Sequence, residues 1–134
     1  MNTAHLIQQI EQLLREQDSI YHNTAVRFGL SDTAMRALYL VSETDEVLTQ
    51  QDLCHQNFSA KQTIHTAING LVKNGFVELI PIPGTRNHKK ILLTASGQAL
   101  ADRTVNRLKE AEQRAYSRMS EEDLQTYLEL TSRL

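Results

Sequence analysis

The chain has 134 residues, 5% of them aromatic, with no Trp, one Cys and a net charge of −2. That length suits one domain or one protomer of an intertwined dimer, with a core resting on Leu, Ile, Val and Ala. A single Cys excludes an internal disulfide; no apolar run reaches the length of a membrane span and no basic-then-apolar start marks a secretory signal, which together point to the cytoplasm.

Residues 4–28 repeat Leu6, Ile7, Ile10, Leu13, Leu14 and Tyr21 at helical spacing. Gly29 ends the pattern where a left-handed C′ residue belongs. A helix this long, apolar along one side, needs a larger partner surface than one small domain supplies. Ser31 suits the cap of a second helix, whose core face is Met35, Leu38, Tyr39 and Val41, with Arg36 and Glu43 off it. Residues 44–47 read as a loop. Thr49-x-x-Asp52 then caps a short helix.

A further helix follows over residues 59–74. Ser59 and Gln62 have capping-box spacing, and Ile64, Ala67, Ile68 and Leu71, widened by Val72, make one apolar face. Gly75 stops it. The polar face carries Lys61, Gln62, His65, Thr66, Asn69 and Lys73, with Thr63 beside them, and no Asp or Glu occurs from Ser59 to Val77. A solvated face normally mixes acids with bases. Gln and Asn can pair with adenine, Lys and His can donate to guanine or phosphate, and Thr can do either. Gln62, Thr63, His65, Thr66 and Asn69 are expected to face bases.

Phe76, Val77, Leu79 and Ile80 predict a strand with Glu78 outward, and Ile91–Leu93 its return. Pro83-Gly84 makes the turn. The tip reads Thr85, Arg86, Asn87, His88, Lys89, Lys90, a cationic loop with nothing apolar to pack on. With Lys61 and Lys73 it is expected to meet phosphates or the minor groove. Five cations against Glu78 give residues 59–90 a net charge of +4, leaving −6 for the rest. Such a local basic footprint is enough for nucleic acid, and acidic flanks help to orient it.

Residues 95–118 predict one long amphipathic helix capped by Thr94, with Ala99, Leu100, Leu108, Ala111, Ala115 and then Met119 on one side. Ser120 caps a last helix with Leu124, Tyr127, Leu128 and Leu130 on its apolar face.

In order and spacing, several of these pieces resemble the MarR family of dimeric winged-helix transcription regulators. Leu48-Thr49-Gln50-Gln51-Asp52-Leu53 is similar to the opening of the helix before the recognition helix. Lys61-Gln62-Thr63-Ile64 is similar to the recognition-helix start. Leu71, Gly75 and Phe76 match its end, and Ile91-Leu92-Leu93-Thr94-x-x-Gly97 the close of the wing.

The resemblance implies a mainly α fold with a small β-hairpin wing. Residues 1–30 would form an N-terminal dimerisation helix, 31–94 the winged helix-turn-helix and 95–134 C-terminal dimerisation helices. It implies a short strand at Val47-Leu48 pairing with the wing, a homodimer on a palindromic operator, a role as a ligand-responsive repressor, and a cavity for a small aromatic or amphipathic effector. Tyr21, Met35 and Tyr39 are candidates to line that cavity or to be core. The family usually carries Asp-x-Arg at the wing; here Thr85 and Asn87 stand at those positions and Arg86 is one residue off.

Two other readings are open: a winged-helix protein-interaction module without DNA binding, and an oxidant-sensing regulator acting through the thiol of Cys54. The latter residue reads more simply as a small core side chain, since a reactive thiol needs exposure and a lowered pKa. His5, His22, His55, His65 and His88 show no zinc spacing, no metal or cofactor is expected, and no nucleophile motif points to an enzyme. His65 and His88 are assigned to DNA, where protonation would tighten binding below about pH 6.5.

Overall fold

The computed structural model describes residues 2–43, 48–57 and 60–134. Helix α1 runs over Thr3–Phe28, started by Asn2, whose side chain accepts from the Ala4 amide. Gly29, at φ 73°, closes it: its own N–H donates to Val26 and the Leu30 N–H to Ala25, each at 3.0 Å. That pair of bonds satisfies two carbonyls that would otherwise be orphaned. Helix α2 spans Asp32–Glu43, and the Ser31 hydroxyl accepts from the Ala34 amide.

Helix α3, Gln50–Asn57, is held by the reciprocal cap expected for it. The Asp52 amide donates to Thr49 Oγ1 at 3.2 Å, and the Thr49 amide to Asp52 Oδ2 at 2.9 Å. Helix α4 is Lys61–Lys73 and ends at Gly75, φ 78°, with Phe76 N–H returning to the Leu71 carbonyl. Its N-cap position falls on Ala60, one residue later than expected; Ser59 lies outside the described residues.

Strands β1, Val77–Pro81, and β2, Lys89–Leu93, pair antiparallel with Val77 opposite Leu93. The strand expected at 47–48 appears one residue on, as a bridge between Thr49 and Lys90, with the Ile91 amide donating to the Leu48 carbonyl at 2.8 Å. Val47 lies outside the described residues, as does the rest of the 44–47 loop.

The single helix expected over 95–118 is two: α5, Ala95–Arg103, and α6, Val105–Tyr116. The break is Thr104, buried, at φ −126° and ψ −92°, with its hydroxyl donating to the Leu100 carbonyl at 2.6 Å. A Thr hydroxyl bonded to its own helix bends it. The bend lets α5 pack on β2 and α2 while α6 continues along α2. Helix α7, Glu121–Ser132, is capped by Ser120 with three acids in its first turn.

The core is in two parts that share α2. Ala37 and Val41 join Leu48, Leu53, Ile64, Ile68, Leu71, Val77 and Ile91. Met35 and Leu38 join Ala25, Leu100, Ala101 and Val105 on the other side. Phe76 and Leu93 touch both, so the wing is fixed to each half. The winged helix-turn-helix is thereby set rigidly against the ends of α1 and α6. On the apolar faces expected from spacing, Val72, Ala99, Ala111, Ala115 and Met119 are exposed. Elsewhere large apolar surfaces are open to solvent. On α1 only Ala25 is buried, while Leu6, Ile7, Ile10, Leu13, Leu14 and Ile20 are exposed; α7 buries nothing.

Candidate nucleic-acid interface

Helix α4 presents two faces that follow from its sequence. Ile64, Ile68 and Leu71 are buried against α2 and α3, which turns Lys61, Gln62, Thr63, His65, Thr66, Asn69 and Lys73 outward. All seven are exposed. Asn69 Nδ2 and His65 Nε2 lie 3.0 Å apart, one turn from each other. The Asn69 amide is the donor and His65 Nε2 the acceptor.

The wing tip is shaped by its backbone. Gly84 is left-handed at φ 79°, the Thr85 hydroxyl donates to the Ile82 carbonyl at 2.7 Å, and the Ile82 amide donates to the His88 carbonyl at 2.9 Å. Asn87 is the one non-glycine residue with positive φ among those described, at 67°. Asn tolerates that conformation far better than a long or branched side chain. The residue standing where the family carries Arg therefore reverses the chain, and Arg86 becomes the long cation of the loop. Lys89 and Lys90, expected on the tip, belong to β2 instead, and Lys90 is half-buried by its bridge to Thr49.

A groove of about 430 Å³ runs between the start of α4 and the wing. It brings together Lys61 and His65 with Arg86, Asn87, His88 and Lys89, residues separated by more than twenty positions in sequence. A second recess, of about 580 Å³, lies on the other flank of α4 and is lined by Gln62, Thr63 and Thr66 with Ser31 and Thr33. Asn69, Lys73 and Lys90 line neither. Thr49, Gln50 and Gln51 complete the first groove, and Ser31 and Thr33 the second. Sequence reading left all five out of the interface: Ser31 and Thr49 looked like caps and Gln50 and Gln51 like a helix start, and only the tertiary fold turns them and Thr33 toward α4. Cys54 is a free thiol, half-buried against the core and opening on the first groove, not the fully buried side chain expected.

A third cleft, of about 390 Å³, lies between α1, α2 and α6. Tyr21, Met35 and Tyr39 do meet there, together with Leu108 and Glu112. The Tyr21 hydroxyl donates to Glu112 Oε2, and the Tyr39 hydroxyl to Glu112 Oε1 at 2.7 Å. Burial, then these bonds and the Glu112 charge, raise both phenol pKa values well above their ordinary range, so both stay neutral donors. Glu112 is 91 residues from Tyr21; no periodicity connects them. Among the described residues no group of three or more His, Cys, Asp or Glu is arranged to hold a metal ion. Among the described residues no helix is long and apolar enough to cross a membrane.

The MarR family model matches residues 28–86. No curated protein matches the chain in sequence. Among solved structures, S. aureus MepR in its DNA-binding conformation superposes with a TM-score of 0.75 at 21% identity, covering 99% of this chain and 96% of that one. The S. aureus MepR–DNA complex gives 0.67 at 21% identity over the same shares. NadR in complex with 4-hydroxyphenylacetate gives 0.72 at 20% identity, covering 98% of this chain and 89% of that one. At such identities these likenesses show a shared fold, the mainly helical winged helix-turn-helix.

Proposed function

We propose, from the match of the MarR family model to residues 28–86, that the chain is a MarR-family regulator: a homodimeric, sequence-specific DNA-binding transcription regulator of the cytoplasm, acting as a repressor. Helix α4 enters the major groove of a palindromic site. Gln62, Thr63, His65, Thr66 and Asn69 read bases; Lys61, Lys73, Arg86, Asn87, His88, Lys89 and Lys90 hold backbone and groove walls. Residues 31–94 are the DNA-binding domain, and 1–30 and 95–134 the dimerisation elements. The cleft at Tyr21, Tyr39 and Glu112 takes a small aromatic or amphipathic effector, whose binding changes the set of the two winged helices and releases the operator.

One observation carries this reading: Lys61 and His65, from the exposed, acid-free face of α4, share a groove with Arg86, Asn87, His88 and Lys89 of the wing. The resemblance in fold to a protein solved on DNA supports it, as the NadR complex supports an effector. The test is a gel shift of random duplex at two salt concentrations, followed by selection of bound duplex from a random pool. Binding that weakens steeply with salt, and a palindrome recovered by selection, are the expected results. A chain that leaves duplex free at low salt is instead a winged-helix protein-interaction module.

A further inference from the structure

We infer that the cleft between α1, α2 and α6 takes an organic cation with a flat apolar body, its charge held against Glu112 and the rings of Tyr21 and Tyr39. This rests on the reading of that cleft as the effector site and adds the sign of the effector's charge.

The walls are apolar and aromatic: Tyr21, Tyr39, Met35, Leu40 and Leu108. Each oxygen of the Glu112 carboxylate receives one tyrosine O–H. Those donors are neutral, so they orient the carboxylate without cancelling its charge. Among the described residues no cationic side chain lies within ion-pair distance of Glu112. At the mouth, exposed Asp18 and Arg36 carry one charge of each sign and offset each other. Among the residues that line the cleft, the half-buried charge left over is negative; the Lys109 ammonium lies outside that lining, behind the Tyr39 ring.

The aromatic wall already supports a positive group. The Lys109 ammonium stands 4.7 Å over the centre of the Tyr39 ring and donates to Ser42 Oγ at 2.9 Å. A cation over an aromatic face is attracted by the ring quadrupole, more so when partly desolvated. Burial lowers the Lys109 pKa, and Glu43 and Glu112 oppose that lowering. An anionic aromatic in the same cleft would face the Glu112 carboxylate and two electron-rich rings. A cation meets a carboxylate and rings that favour it, and its flat body covers Met35 and Leu108.

Calorimetric titration of the whole protein with benzyltriethylammonium and with 2-naphthoate tests the assignment. The cation is expected to bind about tenfold tighter or more, and Glu112→Gln is expected to erase that preference. Equal or tighter binding of the naphthoate overturns the assignment, as does an unchanged cation affinity in Glu112→Gln. Should that variant fail to fold, Tyr21→Phe decides: it frees one carboxylate oxygen, so cation binding is expected to tighten severalfold, and weakening overturns the inference. A gel shift of unliganded protein in the same buffer separates the two readings. Duplex binding together with a preference for naphthoate leaves the regulator standing and sinks the cation. Absence of duplex binding sinks the regulator whatever the titration shows.

Discussion

Gly97 has no side chain because the fold leaves no room for one: a Cβ there would stand 1.8 Å from the Phe76 carbonyl oxygen. That carbonyl also accepts from the Thr94 amide at 3.1 Å, while the Thr94 hydroxyl donates to the Gly75 carbonyl at 2.6 Å and accepts from the Gly97 amide at 3.0 Å. One short stretch thus ties the end of α4, the wing and the start of α5. Gly97→Ala must push backbone against backbone, and is expected to cost at least ~2 kcal/mol in a denaturant titration; a change under ~0.5 kcal/mol would refute the close approach. Across the α4 face and the wing, the proposed residue roles separate by chemistry. Lys89→Ala is expected to weaken binding on every duplex and to reduce the salt slope by about one unit. Gln62→Ala is expected to relax preference at one base pair by ~1–3 kcal/mol, read by competition between single-base variants of the selected site. An unchanged preference removes Gln62 from the base-reading set. The Thr94 cap was legible from spacing alone; its bond to Gly75, nineteen residues back, was not, because it exists only once the wing has closed.

At the scale of elements, local patterns predicted most of what formed. Capping residues and periodic apolar faces foretold α1 to α4, the hairpin and α7, since those signals act over a few neighbouring residues. The break at Thr104 escaped them, because the helical pattern runs through it. It is the demand of α5 for the wing and of α6 for α2 that bends the chain. The junction of α1, α2 and α6 escaped them for a related reason: Tyr21, Tyr39 and Glu112 meet across separations no sequence period links. This junction has a pH signature. Both phenols have folded-state pKa values raised above their ordinary ~10. A raised pKa means the folded state holds the proton more tightly, so the stabilisation is complete below about pH 10 and is lost as pH rises above it. Urea midpoints measured from pH 8.5 upward are expected to fall in that alkaline range, and the double variant Tyr21→Phe, Tyr39→Phe is expected to fall less. Equal slopes for the two proteins would show that the hydroxyls do not stabilise the junction.

For the whole molecule, the apolar rows of α1 and α7 make one chain an incomplete object. Leu6, Ile10, Leu13 and Leu14 along α1, and Leu128 and Leu130 on α7, are between 42% and 69% exposed. Isolated exposed Leu residues are ordinary, but continuous rows along two helices are not, and they mark surfaces that a partner covers. A second copy of this chain is the partner the proposed function needs, because two winged helices related by a two-fold axis place their recognition helices ~34 Å apart, one turn of duplex. A single winged helix buries too little surface on DNA for high selectivity. Ile10→Asp combined with Leu128→Asp puts two charges on those rows without touching either core cluster. In sedimentation the double variant is expected to run as a single chain with an unchanged helical circular dichroism spectrum. Its operator affinity is expected to fall by about a hundredfold or more, because the second half-site is no longer bound in the same event. Should the wild-type chain sediment as a monomer at concentrations where it binds the selected duplex, the two-fold reading would fail and the exposed rows would belong to another partner. Should the variant stay dimeric and keep its affinity, the pairing surface would lie elsewhere than on α1 and α7.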